Sequence, residues 1–185
     1  RTPVVYVGGN DGMMHGFNAD TGAEVLAYIP KQVFGKLSNL TAPTYNHKYY
    51  ADGSPVVVDA FFGSAWHTVL AAGLNKGGQA VYALDVTDPS SFSETNTGLV
   101  LWEFNDANDA DLGYTYGEPA VVRLNNGVWA AIFGNGYNNT EADGNASTTG
   151  DAVLYIVNIA TGALIKKITT EVGLAEDPTG ASRPN

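Results

Sequence analysis

The chain has 185 residues, no cysteine and a formal net charge of −10, with only 9 lysines and arginines. The lack of cysteine excludes disulfides, redox thiols and thiolate-bound zinc, and the shortage of cations disfavours nucleic acid and anionic membrane surfaces as partners. Glycine accounts for 22 residues and charged residues for only 15% of the chain, which is typical of a β-rich domain with many tight turns.

The first predicted strands lie in residues 3–30. The runs VVYVGGND and MMHGFNAD, a Thr-Gly turn and the run EVLAYIP follow one another, with the β-branched and apolar residues and the Gly/Asn/Asp turns of short strands. The glycine-rich turn joins strand to strand, so no helix N-terminus is present to hold a phosphate. We interpret this stretch as the second, third and fourth strands of a four-stranded unit whose first strand lies upstream of residue 1.

Residues 30–52 form a long connector after the first unit. Within KQVFGKLSNL, Val33, Leu37 and Leu40 have helix-like spacing, which predicts one short surface helix.

Aromatic residues crowd the end of this connector and the strand after it. If exposed, they would form a contact patch for a protein or glycan partner; the alternative is that they pack the helix onto the sheet. The candidate contact residues are Tyr45, Tyr49, Tyr50 and Trp66.

The rest of the chain contains an internal repeat. YADGSPVVVDAF is similar to YTYGEPAVVRLN, with Gly53 and Gly117 separated by 64 residues (117 − 53). The turns at Gly98 and Gly162 are also 64 residues apart (162 − 98). Each copy contains four short strands in up-and-down order, the pattern of a β-propeller blade.

The sequence therefore predicts an all-β fold, a single partial β-propeller domain over residues 1–185 with about three four-stranded antiparallel blades, the first incomplete. The blades are residues 3–30, 53–105 and 117–170, and the insertions are residues 30–52 and 137–152. A closed propeller needs about four to eight blades, so we expect the chain to be part of a longer protein. Open blade faces are expected to favour self-association.

The insertion at 137–152 is a candidate calcium loop. Alternating oxygen-bearing side chains precede Gly144, and a further acidic residue could close the loop; the alternative is a solvated polar insertion. The candidate ligands are Asn139, Glu141, Asp143 and Asp151. The acidic cluster at 105–111 fits a calcium loop less well and is predicted to be a solvated loop.

No catalytic or zinc-binding pattern is present. His15, His47 and His67 are scattered without the helical spacing of zinc ligands. Neither a nucleophile elbow nor a phosphate-binding loop occurs. We therefore predict that the chain is not an enzyme.

The segments VYVGGNDGMMHGFNADTG, WHTVLAAGLNKGGQAVYALDVTDP and WAAIFGNGYNN resemble, in this order, the C-terminal quinoprotein-like propeller of PilC/PilY-type proteins. These are type IV pilus biogenesis and tip-adhesin proteins. The resemblance implies a periplasmic to outer-membrane or cell-surface location at the pilus tip of a Gram-negative bacterium. It also implies contacts with minor pilins, or with a host-cell or surface receptor, in pilus assembly, adhesion and twitching motility.

The resemblance also bears on cofactors. Family members carry a calcium loop, D-x-D-x-D-G-x-x-D, which we expect downstream of residue 185, so no cofactor is carried over to this chain. Trp102 follows Thr97-Gly98 with the spacing of the blade-docking tryptophan of quinoproteins, whereas Leu26 and Lys166 stand at the equivalent positions. The alternatives are therefore a PQQ-type quinoprotein oxidoreductase propeller and a periplasmic assembly scaffold.

Overall fold

In the computed structural model, which describes residues 1–141 and 143–181, eleven strands form three antiparallel sheets. Within each sheet, strands that are consecutive in the chain are hydrogen-bonded neighbours. The first sheet contains β1 (Val4–Gly8), β2 (Met14–Asn18) and β3 (Glu24–Tyr28); the second contains β4 (Val56–Phe62), β5 (Ala65–Gly73), β6 (Ala80–Asp85) and β7 (Val100–Asn105); the third contains β8 (Ala120–Arg123), β9 (Trp129–Gly134), β10 (Val153–Asn158) and β11 (Leu164–Thr169). The all-β prediction, with an incomplete first sheet, is confirmed.

The inner strands of the middle sheet, β5 and β6, are buried on both faces over most of their length. Alternate residues of β6 point to opposite sides: Val81 and Ala83 join one buried cluster, which continues into the third sheet, whereas Tyr82 and Leu84 join another, which continues into the first sheet. Strands covered on both faces have near-continuous apolar sequences, which explains the run AVYAL in β6.

The outer faces of the two terminal sheets carry exposed apolar side chains. In β1, Val5 is 57% exposed and Val7 is 47% exposed. In the third sheet, Val122 and Ile168 are also exposed. Because large exposed apolar faces favour association, self-association through these faces stays a prediction for this chain.

The connector contains the predicted short helix, which is confirmed as α1 (Lys31–Phe34). It ends at Gly35, and a 3₁₀ segment, Leu37–Thr41, follows it. Val33 is fully buried, so the helix packs on the core between the first two sheets. No helix in the described part of the chain is long and apolar enough to cross a membrane.

Trp102 joins the second sheet to the third. Its indole Nε1 donates a hydrogen bond to the Ile159 carbonyl at 2.8 Å, and its ring lies directly against Gly162 in the β10–β11 turn. The side chain is 7% exposed. The Trp102 motif therefore has a structural role at the junction between blades, where it buries a large flat side chain.

Candidate binding groove between the two insertions

Asp106 connects the two insertions. Gln32 Nε2, in the connector, donates to Asp106 Oδ1 at 3.3 Å, and Asn145 Nδ2, in the 137–152 insertion, donates to Asp106 Oδ2 at 3.1 Å. Asp106 is only 6% exposed. Hydrogen bonds to a buried carboxylate are strong and costly to break, so Asp106 holds both insertions against the end of β7.

A polar groove lies between the insertions. One cavity of about 500 Å³ is lined mainly by amide, carboxylate and lysine side chains. A second cavity of about 420 Å³ is lined mainly by tyrosines. Both cavities are lined by Tyr114 and Glu141, so they form one continuous feature, which we call the tyrosine groove. Its lining residues are Lys31, Gln32, Lys36, Lys76, Gly78, Gln79, Asn105, Asp106, Ala107, Tyr114, Tyr116, Tyr137, Asn138, Glu141, Asp143 and Asn145.

The backbone of the tyrosine groove is held by a bridge between two loops. Tyr114 N donates to Tyr137 O at 2.7 Å, and Tyr137 N donates back to Tyr114 O at 3.2 Å. The rings of Tyr116 and Tyr137 then meet edge to face, with centroids 5.5 Å apart. These two side chains are 43% and 47% exposed, so they present aromatic surface to solvent.

Tyr114 and Glu141 form a hydrogen-bonded pair at the centre of the tyrosine groove. Burial, together with the hydrogen bond to Glu141 and the charges of Glu141 and Asp143, raises the pKa of Tyr114 well above its ordinary value of 10.0. A tyrosine hydroxyl is protonated at physiological pH, and the raised pKa of Tyr114 extends that state to higher pH.

The aromatic contact residues predicted from the sequence separate in the structure. Tyr45 and Tyr49 are exposed, and the Tyr49 ring lies 5.2 Å from Lys76 Nζ at the edge of the tyrosine groove. Trp66 is 62% exposed, but it packs against Trp129 across the junction between the second and third sheets. The prediction that Tyr50 is an exposed contact residue is wrong: it is fully buried, because it packs under the connector in the core.

The four calcium candidates have separate partners. Asn139 is buried, and its Nδ2 donates to the Asp151 carbonyl at 3.2 Å; the Asp151 carboxylate accepts from Thr169 Oγ1 at 2.7 Å. Glu141 pairs with Tyr114, and Asp143 Oδ1 accepts from the Asn145 backbone at 3.1 Å. Across residues 1–141 and 143–181, no three acidic or histidine side chains converge as metal ligands do. Calcium binding by these residues stays a prediction.

The acidic cluster at 105–111 is not the solvated loop that we predict from the sequence. Lys167 Nζ contacts Asp109 Oδ1 at 2.7 Å and Asp111 Oδ2 at 2.6 Å, and each aspartate side chain is only 16% exposed. Burial alone would raise the pKa of Asp111, but hydrogen bonds from Lys167 and Ser147 outweigh it and lower that pKa. A lysine from β11, 56 residues later in the chain than Asp111 (167 − 111), thus pairs with two of the three aspartates of the cluster.

Two of the three histidines, His15 and His67, pair with carboxylates. His15 lies between Asp11, at 2.9 Å from its Nε2, and Glu24, at 2.5 Å from its Nδ1. His67 Nδ1 lies 2.7 Å from Asp85 Oδ2. Both imidazoles therefore stabilise the ends of strands.

Comparison with known proteins decides the family. The family model described as the PilY1 β-propeller domain matches residues 1–185. The chain belongs to the PilY1 β-propeller family. The resemblance to PilC/PilY-type proteins is thereby confirmed.

This chain matches only part of the length of its PilY1 relatives. A type IV pilus biogenesis factor PilY1 homolog of Xylella fastidiosa is 50% identical over 181 residues, which cover 98% of this chain and 11% of that protein. The crystal structure of the Pseudomonas aeruginosa PilY1 C-terminal domain matches with a TM-score of 0.77 and 44% identity, covering 100% of this chain and 33% of that chain.

A more distant structure shares the propeller fold. The quinohemoprotein alcohol dehydrogenase of Pseudomonas putida HK5 matches with a TM-score of 0.50 and 15% identity, covering 94% of this chain and 20% of that chain. At 15% identity, the match to this dehydrogenase shows a shared fold alone.

Proposed function

We propose that this chain is a non-catalytic binding and scaffolding propeller of a type IV pilus-associated surface protein, and that it supports pilus assembly, adhesion and twitching motility. The observation that carries the proposal is the 50% identity, over 98% of the chain, to a type IV pilus biogenesis factor. Partners and location belong to the same proposal: contacts with minor pilins or a host-cell or surface receptor, in the periplasm and at the outer membrane or pilus tip.

The geometry supports a binding role for the insertions. The two segments that interrupt the blade repeat are held against Asp106 and line one groove. Loops positioned by a rigid sheet scaffold are where proteins commonly place binding residues. The sheets beneath them pack around the inner strands of the middle sheet, which contribute to buried clusters on both faces.

A quinoprotein enzyme is the weaker alternative. The feature of the sequence that resembles quinoproteins most, the spacing before Trp102, is used here for packing between blades. The likeness to a quinohemoprotein dehydrogenase at 15% identity concerns the fold. The tyrosine groove is lined by carboxylates, amides and tyrosines, which suit hydrogen-bonded recognition.

Affinity purification from cells that make the full-length protein tests the proposal. We expect minor pilins to co-purify with the wild-type protein and to be lost when residues 1–185 are deleted. Titration with pyrroloquinoline quinone and Ca²⁺ provides the second readout. Stoichiometric quinone absorbance together with undiminished pilin recovery after the deletion would contradict the proposal.

A further inference from the structure

We propose that the tyrosine groove is a carbohydrate-binding site for a neutral oligosaccharide. This inference names the ligand class of the receptor-binding role and rests on that part of the proposed function. It starts from the shape of the surface: two cavities of about 500 and 420 Å³ that share Tyr114 and Glu141. An elongated groove of this kind accommodates a chain of sugar rings rather than one small molecule.

The lining favours a sugar over a protein segment. Among the described lining residues, only Gly78 and Ala107 lack both a polar group and an aromatic ring. A peptide or helix is usually anchored by apolar side chains in an apolar pocket, and no aliphatic pocket is present in the described lining. Sugar hydroxyls both donate and accept hydrogen bonds, so they match carboxylates, amides and ammonium groups.

The tyrosine rings supply the surface on which a sugar ring can lie. Tyr116 and Tyr137 are nearly half exposed, and each restrains the other through their edge-to-face contact at 5.5 Å. Tyr49 lies at the edge of the same surface, because its ring centroid is 5.2 Å from Nζ of Lys76, which lines the groove. Exposed aromatic rings held in place bury large areas on binding with little loss of side-chain entropy.

The polar groups of the groove are already ordered. Gln79 Nε2 donates to the Asn138 carbonyl at 3.3 Å, and Asp106 fixes Gln32 and Asn145. Ordered polar groups bind a ligand without first losing conformational entropy. The sugar's hydroxyls would therefore meet donors and acceptors that hold their positions.

The charge of the groove indicates a neutral sugar. Three lysines face three carboxylates in its lining, so the formal charges sum to zero. The chain as a whole carries −10, which repels anionic polymers such as sulfated or sialylated glycans. Neutral hexose or N-acetylhexosamine chains carry no such penalty.

Purified full-length protein should be tested by isothermal titration with maltohexaose, chitohexaose and poly-N-acetyllactosamine, with sialyllactose and a heparin hexasaccharide as anionic probes. We expect saturable binding of at least one neutral probe. Because each ring supplies stacking surface, Tyr116→Ala and Tyr137→Ala should each weaken binding about tenfold, which corresponds to about 1.4 kcal/mol. The Tyr→Phe variants should keep most of the affinity, since the ring remains.

Phe61→Ala is the matched control, because Phe61 is 45% exposed, comparable with the two tyrosines, and lies outside the groove. Circular dichroism melting should confirm that every variant is folded. Binding of anionic probes only, no saturable binding of any probe, or equal affinity in the Tyr→Ala variants and wild type would overturn the inference. So would capture of minor pilins that depends on Tyr116 and Tyr137 without sugar binding.

Pilus assembly in cells that carry Tyr116→Ala separates this inference from the proposed function. Normal piliation with lost attachment to the immobilised neutral probe supports both. Normal piliation with wild-type attachment overturns the sugar site and leaves the scaffolding role standing.

Discussion

Replacing Gly162 with alanine tests the junction between the second and third sheets. Gly162 lies in the β10–β11 turn with a φ of +71°. An added Cβ would lie 2.6 Å from Trp102 Cβ and 2.7 Å from Trp102 Cγ, closer than side-chain carbons can approach. The substitution therefore combines backbone strain with a clash against the docking tryptophan.

The expected cost of Gly162→Ala is the sum of two parts. Left-handed backbone costs an alanine about 1–2 kcal/mol. Forcing a methyl group into a well-packed site costs about 1–3 kcal/mol. Gly162→Ala should therefore reduce the free energy of unfolding by about 2–5 kcal/mol.

Gly22→Ala is the matched control. Gly22 occupies the equivalent Thr-Gly turn of the first sheet with a φ of +74°, but no atom lies within 4 Å of an added Cβ. Its cost should be about 1–2 kcal/mol, the backbone part alone. Urea unfolding of the 185-residue chain, followed by tryptophan fluorescence and circular dichroism, measures both. Equal destabilisation by the two substitutions would refute the account of Trp102 docking on Gly162.

Three further predictions concern charged groups. Lys167→Met should lower the free energy of unfolding. The loss should lie between that of an exposed ion pair, roughly 1 kcal/mol, and that of a buried one, roughly 3–5 kcal/mol. Unchanged urea unfolding would contradict the pairing of Lys167 with the 105–111 cluster. Burial lowers the pKa of His15, but hydrogen bonds and charges of the two flanking carboxylates outweigh it and raise that pKa above 6.5. The stabilisation by His15 should therefore be full below pH 6.5 and be lost as the pH rises through the raised pKa. Melting curves of His15→Gln measured across the same pH range should lack this pH-dependent loss of stability. Isothermal titration of the chain with Ca²⁺ should show saturable binding to the 137–152 insertion, and Asp143→Asn should weaken that binding. Heat without saturation would contradict the calcium prediction and support the alternative of a solvated polar insertion.

The fold was largely predictable because blade strands carry local signals. Alternation in β10 and the repeated Thr-Gly turns identify four-stranded units and their inner faces. The docking role of Trp102 is implied by the resemblance of its spacing to the quinoprotein blade pattern. These features depend on residues that are near one another in sequence.

The candidate site was less predictable because it depends on which loops meet. Lys167 pairs with two aspartates that lie more than fifty residues earlier in the chain, and no local pattern indicates that pairing. Tyr50 looks like its neighbour Tyr49 in sequence, but only one of the two is buried. The groove tyrosines come from separate loops, and their one sequence signal is the Tyr-Thr-Tyr alternation at 114–116.

Piliation is the most direct test of the central claim. Cells that lack the full-length protein should be complemented with the wild-type gene or with a version from which residues 1–185 are deleted, and surface pilin should be quantified in sheared fractions and by electron microscopy. The account predicts that the wild-type gene restores surface pili and that the deletion does not, although the shortened protein is exported at normal levels. Normal surface pili in cells with the deletion would contradict it.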